Sequence, residues 1–334
     1  MMEFLYQYGL FLAKAITWVA AILLVVTGLV NLVRQMREHA GDHLEIKNLN
    51  DRFRDLADAL RHSLLTHDEQ KQADKARKAE DKAKAKARKK GDEPPRLRVF
   101  VLDFHGDLQA SAVASLREEI SAVLQVVRSG DEVVLRLESE GGVVHGYGLA
   151  ASQLRRLRQR GVKLTVSVDK VAASGGYLMA CVADQILAAP FAIVGSIGVV
   201  AQLPNFNRLL KKHEVDFELH TAGEHKRTLT LFGENTEEGR AKFRETLEDA
   251  HALFKSFIGE NRPGVDLAQV ATGEHWFGAR ALALKLVDLL KTSDDYLLDR
   301  SKDSDLFEVQ YKRHRGLAER LTAGFVRLRA AFPF

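Results

Sequence analysis

The hydrophobic pattern changes character along the chain. The first regime is Ala15 to Val33, 19 residues without a charge, preceded by the apolar Leu10, Phe11 and Leu12. At 1.5 Å per residue a helix of that length reaches about 28 Å, close to the thickness of a bilayer core. Glu3 and Lys14 stand before it and no clear Ala-x-Ala site follows, so a retained transmembrane anchor is expected rather than a cleaved signal peptide. Next, Leu49, Phe53, Leu56, Leu60 and Leu64 step by four, three, four and four, one face of a helix with Asn50 or Asp51 as its N-cap. The stretch from there to Lys90 has almost no large apolar residues and reads as an exposed helix or flexible spacer. Gly91-Asp92-Glu93-Pro94-Pro95 ends it.

From Arg98 the pattern alternates between strand and helix. Val99–Leu102, Glu132–Leu137, Leu164–Val168, Gln185–Ala188 and Ile197–Val200 read as strands, with a further short one at Phe217–Leu219. Ala112–Val127, Tyr147–Arg158 and Thr236–Asn261 read as helices, and the apolar Leu282–Asp288 closes the domain. This spacing predicts an α/β domain with a mostly parallel sheet. Near the end, Leu317, Leu321, Phe325, Leu328 and Phe332 line one helical face among Arg315, Arg320, Arg327 and Arg329. That stripe packs on protein or lies on a bilayer surface. The expected organisation is an anchor (1–37), a Lys/Ala-rich helical spacer (38–95), an α/β domain (96–298) and a C-terminal strand with a basic amphipathic helix (299–334).

Charge refines this division. Lys71 to Lys90 holds ten basic and three acidic residues, leaving 39 basic against 42 acidic elsewhere. The net charge of +4 therefore belongs to one segment, which argues against nucleic acid as a partner. The single cysteine, Cys181, excludes an intramolecular disulfide. Arg34 and Arg37 follow the apolar run, and by the positive-inside rule they place the bulk of the chain in the cytoplasm.

The candidate chemistry centres on Ser174. It follows the strand-like Leu164–Val168, is flanked by Ala173 and Gly175, and opens a helical segment. Such a turn exposes unpaired N–H groups and lets a substrate backbone approach closely; an N-cap serine on a buried helix is the plainer alternative. A serine nucleophile needs a base. His145 and His225 are candidates, although one histidine nearby means little among twelve. Lys226 is another, but a lysine is a base only when burial lowers its pKa, and this one lies in a polar connector. Gly141-Gly142 is turn punctuation or a source of N–H groups for an oxyanion.

Taken together, the motifs are more specific. Ser139-Glu140-Gly141-Gly142 after a strand, Ala172-Ala173-Ser174-Gly175-Gly176-Tyr177, Val194-Gly195-Ser196-Ile197-Gly198-Val199 and then Lys226-Arg227-Thr228, in this order, resemble the signal peptide peptidase A family. These are membrane-bound serine proteases with a Ser–Lys dyad and a ClpP/crotonase-like α/β fold. The anchor, the spacer and the run from Val144 to Ser152 look like its SohB branch. The resemblance implies Ser174 as nucleophile and Lys226 as general base. Ser196 would hold the lysine amine, and Gly141, Gly142 and Gly175 would form the oxyanion hole. Glu140 departs from the proline usual before the two glycines. No cofactor or metal is implied. The implied partners are a peptide or protein substrate, the bacterial inner membrane through a single N-terminal helix, and further copies of the chain in a homo-oligomer. Relatives work outside the cytoplasm, against the charge count, so the side of the membrane stays open. Two other functions share the fold: a catalytically silent membrane scaffold, and a crotonase-type acyl-CoA enzyme that needs no serine–lysine pair.

Overall fold

The computed structural model describes residues 41–66 and 96–313, with isolated positions before residue 41 and between 66 and 96. The chain divides into two units, residues 1–44 with 311–334, and residues 45–310. The second is an α/β fold built on two sheets. The larger has seven strands, β1 (His43–Asn48), β2 (Leu97–His105), β3 (Glu132–Glu138), β4 (Lys163–Val168), β6 (Gln185–Ala188), β9 (Leu289–Leu290) and β10 (Ser304–Lys312). Their order is β1-β10-β2-β3-β4-β6-β9, parallel from β10 to β9. Strands β2, β3 and β4 are almost continuously apolar and buried, as a parallel sheet covered on both faces requires. The smaller sheet joins β5 (Val171–Ala173), β7 (Ile193–Gly195) and β8 (His275–Phe277). A bridge from Ser139 to Ala172 ties it to the end of β3.

Helix α1 (Leu49–Leu64) is where the leucine spacing predicts it, but its N-cap lies two residues before Asn50, the nearer of the two expected caps. Asn48 is the N-cap, accepting from the N–H groups of Asn50 and Asp51. Asn50 is used differently. Its amide donates to the carbonyls of Ser301 and Ser304 and accepts from the Leu306 N–H, tying α1 to the start of β10. Leu49 is buried among Val99, Val101 and Leu306, whereas Leu56, Leu60 and Leu64 are exposed. The seam is thus a core contact at Leu49 and, partly buried, at Phe53.

Helices α2 (Val113–Val126) and α3 (Val144–Gln159) pack together, and α3 also packs on α4 (Gly175–Ala180). Then come α5 (Asn207–Lys212), α6 (Glu237–Asn261, capped by Thr236), α7 (Leu267–Val270), α8 (Gly278–Ala283) and α9 (Ser293–Arg300). Two expected strands differ. The strand expected at Ile197–Val200 lies instead at Ile193–Gly195, because Gly195 (φ 110°) and Ser196 (φ 52°) turn the chain out of the extended region. Phe217–Leu219 forms no strand. Within the apolar Leu282–Asp288, α8 gives way to a left-handed Lys285 (φ 61°), and β9 follows. The expected C-terminal strand is β10. The expected anchor, Ala15–Val33, and the C-terminal amphipathic stretch lie outside the described residues, apart from isolated positions in the former. Among the described residues no helix is long and apolar enough to cross a membrane.

Candidate active site

Strand β5 runs into Ser174, and α4 starts one residue later. Ser174 has φ 50° and ψ −117°, a conformation that L residues adopt at a cost of about 1–3 kcal/mol. Two hydrogen bonds hold it there. Its N–H donates to the Gly195 carbonyl at 2.8 Å, and its own carbonyl accepts from Leu178 at 3.0 Å. Its side chain makes no cap hydrogen bond, and among the described residues the hydroxyl finds no partner in the cleft it lines. Ser196 sits at the end of the neighbouring strand β7 in a second left-handed turn, its N–H donating to the Glu274 carbonyl. The parallel pairing of β5 with β7 brings the two serines to the same cleft.

The turn after β3 closes against Ser174. Gly141 (φ 93°) admits no side chain, since a Cβ there would stand 2.7 Å from the Gly175 nitrogen and 2.8 Å from the Ser174 Cβ. A Cβ on Gly142 would meet the Leu108 carbonyl oxygen at 2.2 Å. The Gly141 N–H donates to Ser139 Oγ at 3.1 Å and so is already engaged. Among the described residues, the N–H groups of Gly142 and Gly175 find no acceptor. Gly141 therefore shapes the turn, and Gly142 and Gly175 carry the two N–H groups left open beside Ser174. Glu140, in place of proline, is exposed and lines the same cleft.

The cleft has a volume of about 990 Å³ and mostly apolar walls. Leu108, Val143 and Val144 form one side, and Leu253, Phe254 and Phe257 of α6 another. It is large enough for a peptide segment of a few side chains. Lys226 does not line it. That lysine is exposed in a turn closed by its N–H on the Gly223 carbonyl. His225 and His145 are exposed as well, and neither lines the cleft. The structure thus joins Ser174, Ser196, Gly141, Gly142 and Gly175, and it leaves every candidate base outside. No group of His, Cys, Asp and Glu suited to a metal ion occurs among the described residues.

Residues 3–154 match the description Peptidase family S49 N-terminal, and residues 156–306 match Peptidase family S49. The chain is 52% identical over 325 residues to the "Probable protease SohB" of Haemophilus influenzae, covering 95% of this chain and 92% of that one. It is 50% identical over 308 residues to the protein of the same name from Buchnera aphidicola subsp. Schlechtendalia chinensis, covering 90% of this chain and 100% of that one. The chain belongs to peptidase family S49. It is a SohB-like member, as the motif order around Ser174 implies. Among solved structures it is similar to a mutant of the 1510-N membrane-bound stomatin-specific protease, with TM-score 0.42, 12% identity, and coverage of 62% of this chain and 86% of that one.

Several groups of this S49 site have no clear signal in the sequence. Ser139 and Tyr147 stand directly behind the glycine turn, fully buried and hydrogen-bonded to each other. Their signal was present as the serine and tyrosine of the quoted motifs, but periodicity assigns Tyr147 only to a helix. Burial, with the Asp107 and Glu140 carboxylates adding to it, raises the Tyr147 phenol above its ordinary range despite the Ser139 bond, so it stays a neutral donor. The α6 wall was legible only as part of a long helix.

Proposed function

We propose that the chain is a membrane-anchored serine endopeptidase that hydrolyses peptides or membrane-associated protein remnants with a Ser174–Lys226 dyad. The observation that carries this reading is the strained Ser174 turn, which presents an uncommitted hydroxyl beside two uncommitted N–H groups in a peptide-sized apolar cleft. Ser174 Oγ attacks the scissile carbonyl while its proton passes to the neutral Lys226 Nζ. The Gly142 and Gly175 N–H groups take the charge that develops on the carbonyl oxygen. The lysine then returns the proton to the leaving amine, and water releases the acyl group by the reverse path. Ser196, at the cleft wall, orients the amine. This is the chemistry of a ClpP/crotonase-like peptidase.

Lys226 must be desolvated to act in this way. Its surroundings support assembly as the means. Residues 199–235 pack little against the sheets and expose Val200, Leu203, Leu209, Val215, Phe217 and Phe232. Such an apolar surface, on a segment this long and irregular, calls for a partner. A homo-oligomer covers it and carries Lys226 to a serine site, while the apolar Ala15–Val33 run holds the assembly in the bacterial inner membrane. Fluorophosphonate labelling of the full chain tests the nucleophile: Ser174 is modified in the wild type, and Ser174→Ala is unlabelled and inert. Substantial peptide turnover by purified Ser174→Ala would overturn the assignment.

A further inference from the structure

The two open N–H groups lie on different elements, one on the turn after β3 and one at the start of α4. Their separation must be set by something that touches both, and Tyr147 does. Its hydroxyl donates to the Asp107 carbonyl at 2.8 Å, so the Ser139 hydroxyl, 2.6 Å away, donates to the Tyr147 oxygen. Ser139 Oγ in turn accepts the Gly141 N–H. The result is a directed chain, Gly141 N–H to Ser139 O–H to Tyr147 O–H to Asp107 carbonyl, with each hydroxyl donating once and accepting once. The far side of the same tyrosine meets the other donor. A Cβ on Gly175 would stand 2.4 Å from Tyr147 Cγ and 2.8 Å from its Cβ, so the ring is in van der Waals contact with the residue that follows the nucleophile.

We infer that Tyr147 is a positioning residue for the reaction: it holds the Gly142 and Gly175 N–H groups at the spacing an oxyanion needs. The hydroxyl chain fixes the glycine turn, and the ring fixes the start of α4. Glu140 gives that turn none of the stiffness of a proline, so its shape depends on the chain behind it. This inference rests on Ser174 being the nucleophile. It adds that the oxyanion hole is set from the buried side, by a tyrosine with no exposed surface of its own.

The test is the saturation kinetics of Ser174 phosphonylation by a fluorophosphonate probe on the full chain, whose phosphoryl oxygen occupies the oxyanion position. Tyr147→Phe keeps the ring contact and removes the chain. The limiting rate should fall about tenfold to hundredfold, less than or near the loss of one donor outright. Half-saturation should stay within about twofold, because the apolar walls that bind the probe are unchanged. Ser139→Ala, a smaller change, should show the same split, and the double variant should be no slower than the slower single one, since both break one chain. A Tyr147→Phe rate equal to wild type, or a double variant slower by the product of the singles, overturns the inference while leaving Ser174 in place. A raised half-saturation with an unchanged limiting rate also overturns it, as that marks a binding wall. A wild-type chain that never labels at Ser174 overturns the peptidase reading and this inference with it.

Discussion

Replacing Ser174 by glycine should make the protein more stable while abolishing its chemistry. At φ 50° and ψ −117° a serine carries backbone strain that glycine does not. The strain is about 1–3 kcal/mol. Glycine gives back about 0.5–1 kcal/mol through the greater freedom of its unfolded chain. The net gain is about 1 kcal/mol, or roughly 2–4 °C in Tm for a domain of this size. Among the described residues no side-chain hydrogen bond opposes it, and the two backbone bonds that hold the turn do not need a side chain. Alanine separates the two effects. Ser174→Ala keeps the strained φ and loses only the hydroxyl, so its Tm should match wild type within about 1 °C by the same scaling. The assay is thermal unfolding followed by tryptophan fluorescence on wild type, Ser174→Ala and Ser174→Gly, with peptide hydrolysis measured on all three. A control is Lys285→Gly, at φ 61° after α8. There the N–H groups of Lys285 and Leu286 return to the Leu282 and Ala281 carbonyls, the pattern of a glycine-favouring helix end. It should gain about 1 kcal/mol with activity intact. A glycine variant at position 174 that melts at or below the alanine variant would show that the turn stores no strain, and the case for a purpose-built nucleophile would weaken accordingly.

Lys226→Arg should be as inactive as Lys226→Ala, each down by about 10²–10⁴-fold, since guanidinium cannot accept a proton; an active arginine variant would limit Lys226 to presenting charge. Asp131 offers a pH-dependent stability. Burial raises its carboxyl, but the Arg98 side chain and the N–H groups of Arg128 and Arg98 outweigh that and hold it below the ordinary carboxylate value. A folded pKa below the unfolded one stabilises at pH above the unfolded value, near 4 in general, and the gain fades as pH falls through the folded value. Asp131→Asn should therefore cost about 2–3 kcal/mol at pH 7 and markedly less at pH 3 in urea titrations; an equal cost at both would refute the pairing. Cys181, whose thiol burial pushes up to about 12, should resist iodoacetamide at pH 8 until the protein unfolds, as read by mass spectrometry.

Much of this was legible from the residues. The runs around Val99, Val133 and Leu164 are too apolar and too short for anything but buried strands, and the structure places them at the centre of the sheet. The Ser174 turn was readable because small residues cluster where a strand gives way to a helix. What stayed hidden depends on contacts between distant positions. Tyr147 and Asp107 are 40 residues apart, and Asn50 meets Leu306 across 256. No periodicity encodes such a bond. Strand β7 ends before Ile197 because Ser196 adopts a left-handed turn, a choice fixed by the Glu274 carbonyl and not by serine's own preference. Lys226 shows the opposite limit: its motif is plain in the sequence, yet a single chain leaves it in solvent.

The small sheet explains how two strained serines can persist side by side. Each strained residue is held by a hydrogen bond from its N–H to a neighbouring segment, Ser174 to Gly195 in β7 and Ser196 to Glu274 just before β8. The strain in one turn is therefore relieved only by breaking the ladder that also supports the other. Gly195 seals the arrangement: at φ 110°, with the Trp276 ring 2.8 Å from where a Cβ would lie, it can be nothing but glycine. Two strained residues cost about 2–6 kcal/mol together, a sizeable share of a domain's usual stability of 5–15 kcal/mol. A scaffold would gain nothing from that cost. An oxyanion site does, because donors fixed before the substrate arrives need no reorganisation when charge develops. The geometry of β5, β7 and β8 thus favours a peptidase over a silent relative of the same fold, on grounds separate from the identity of Ser174 itself.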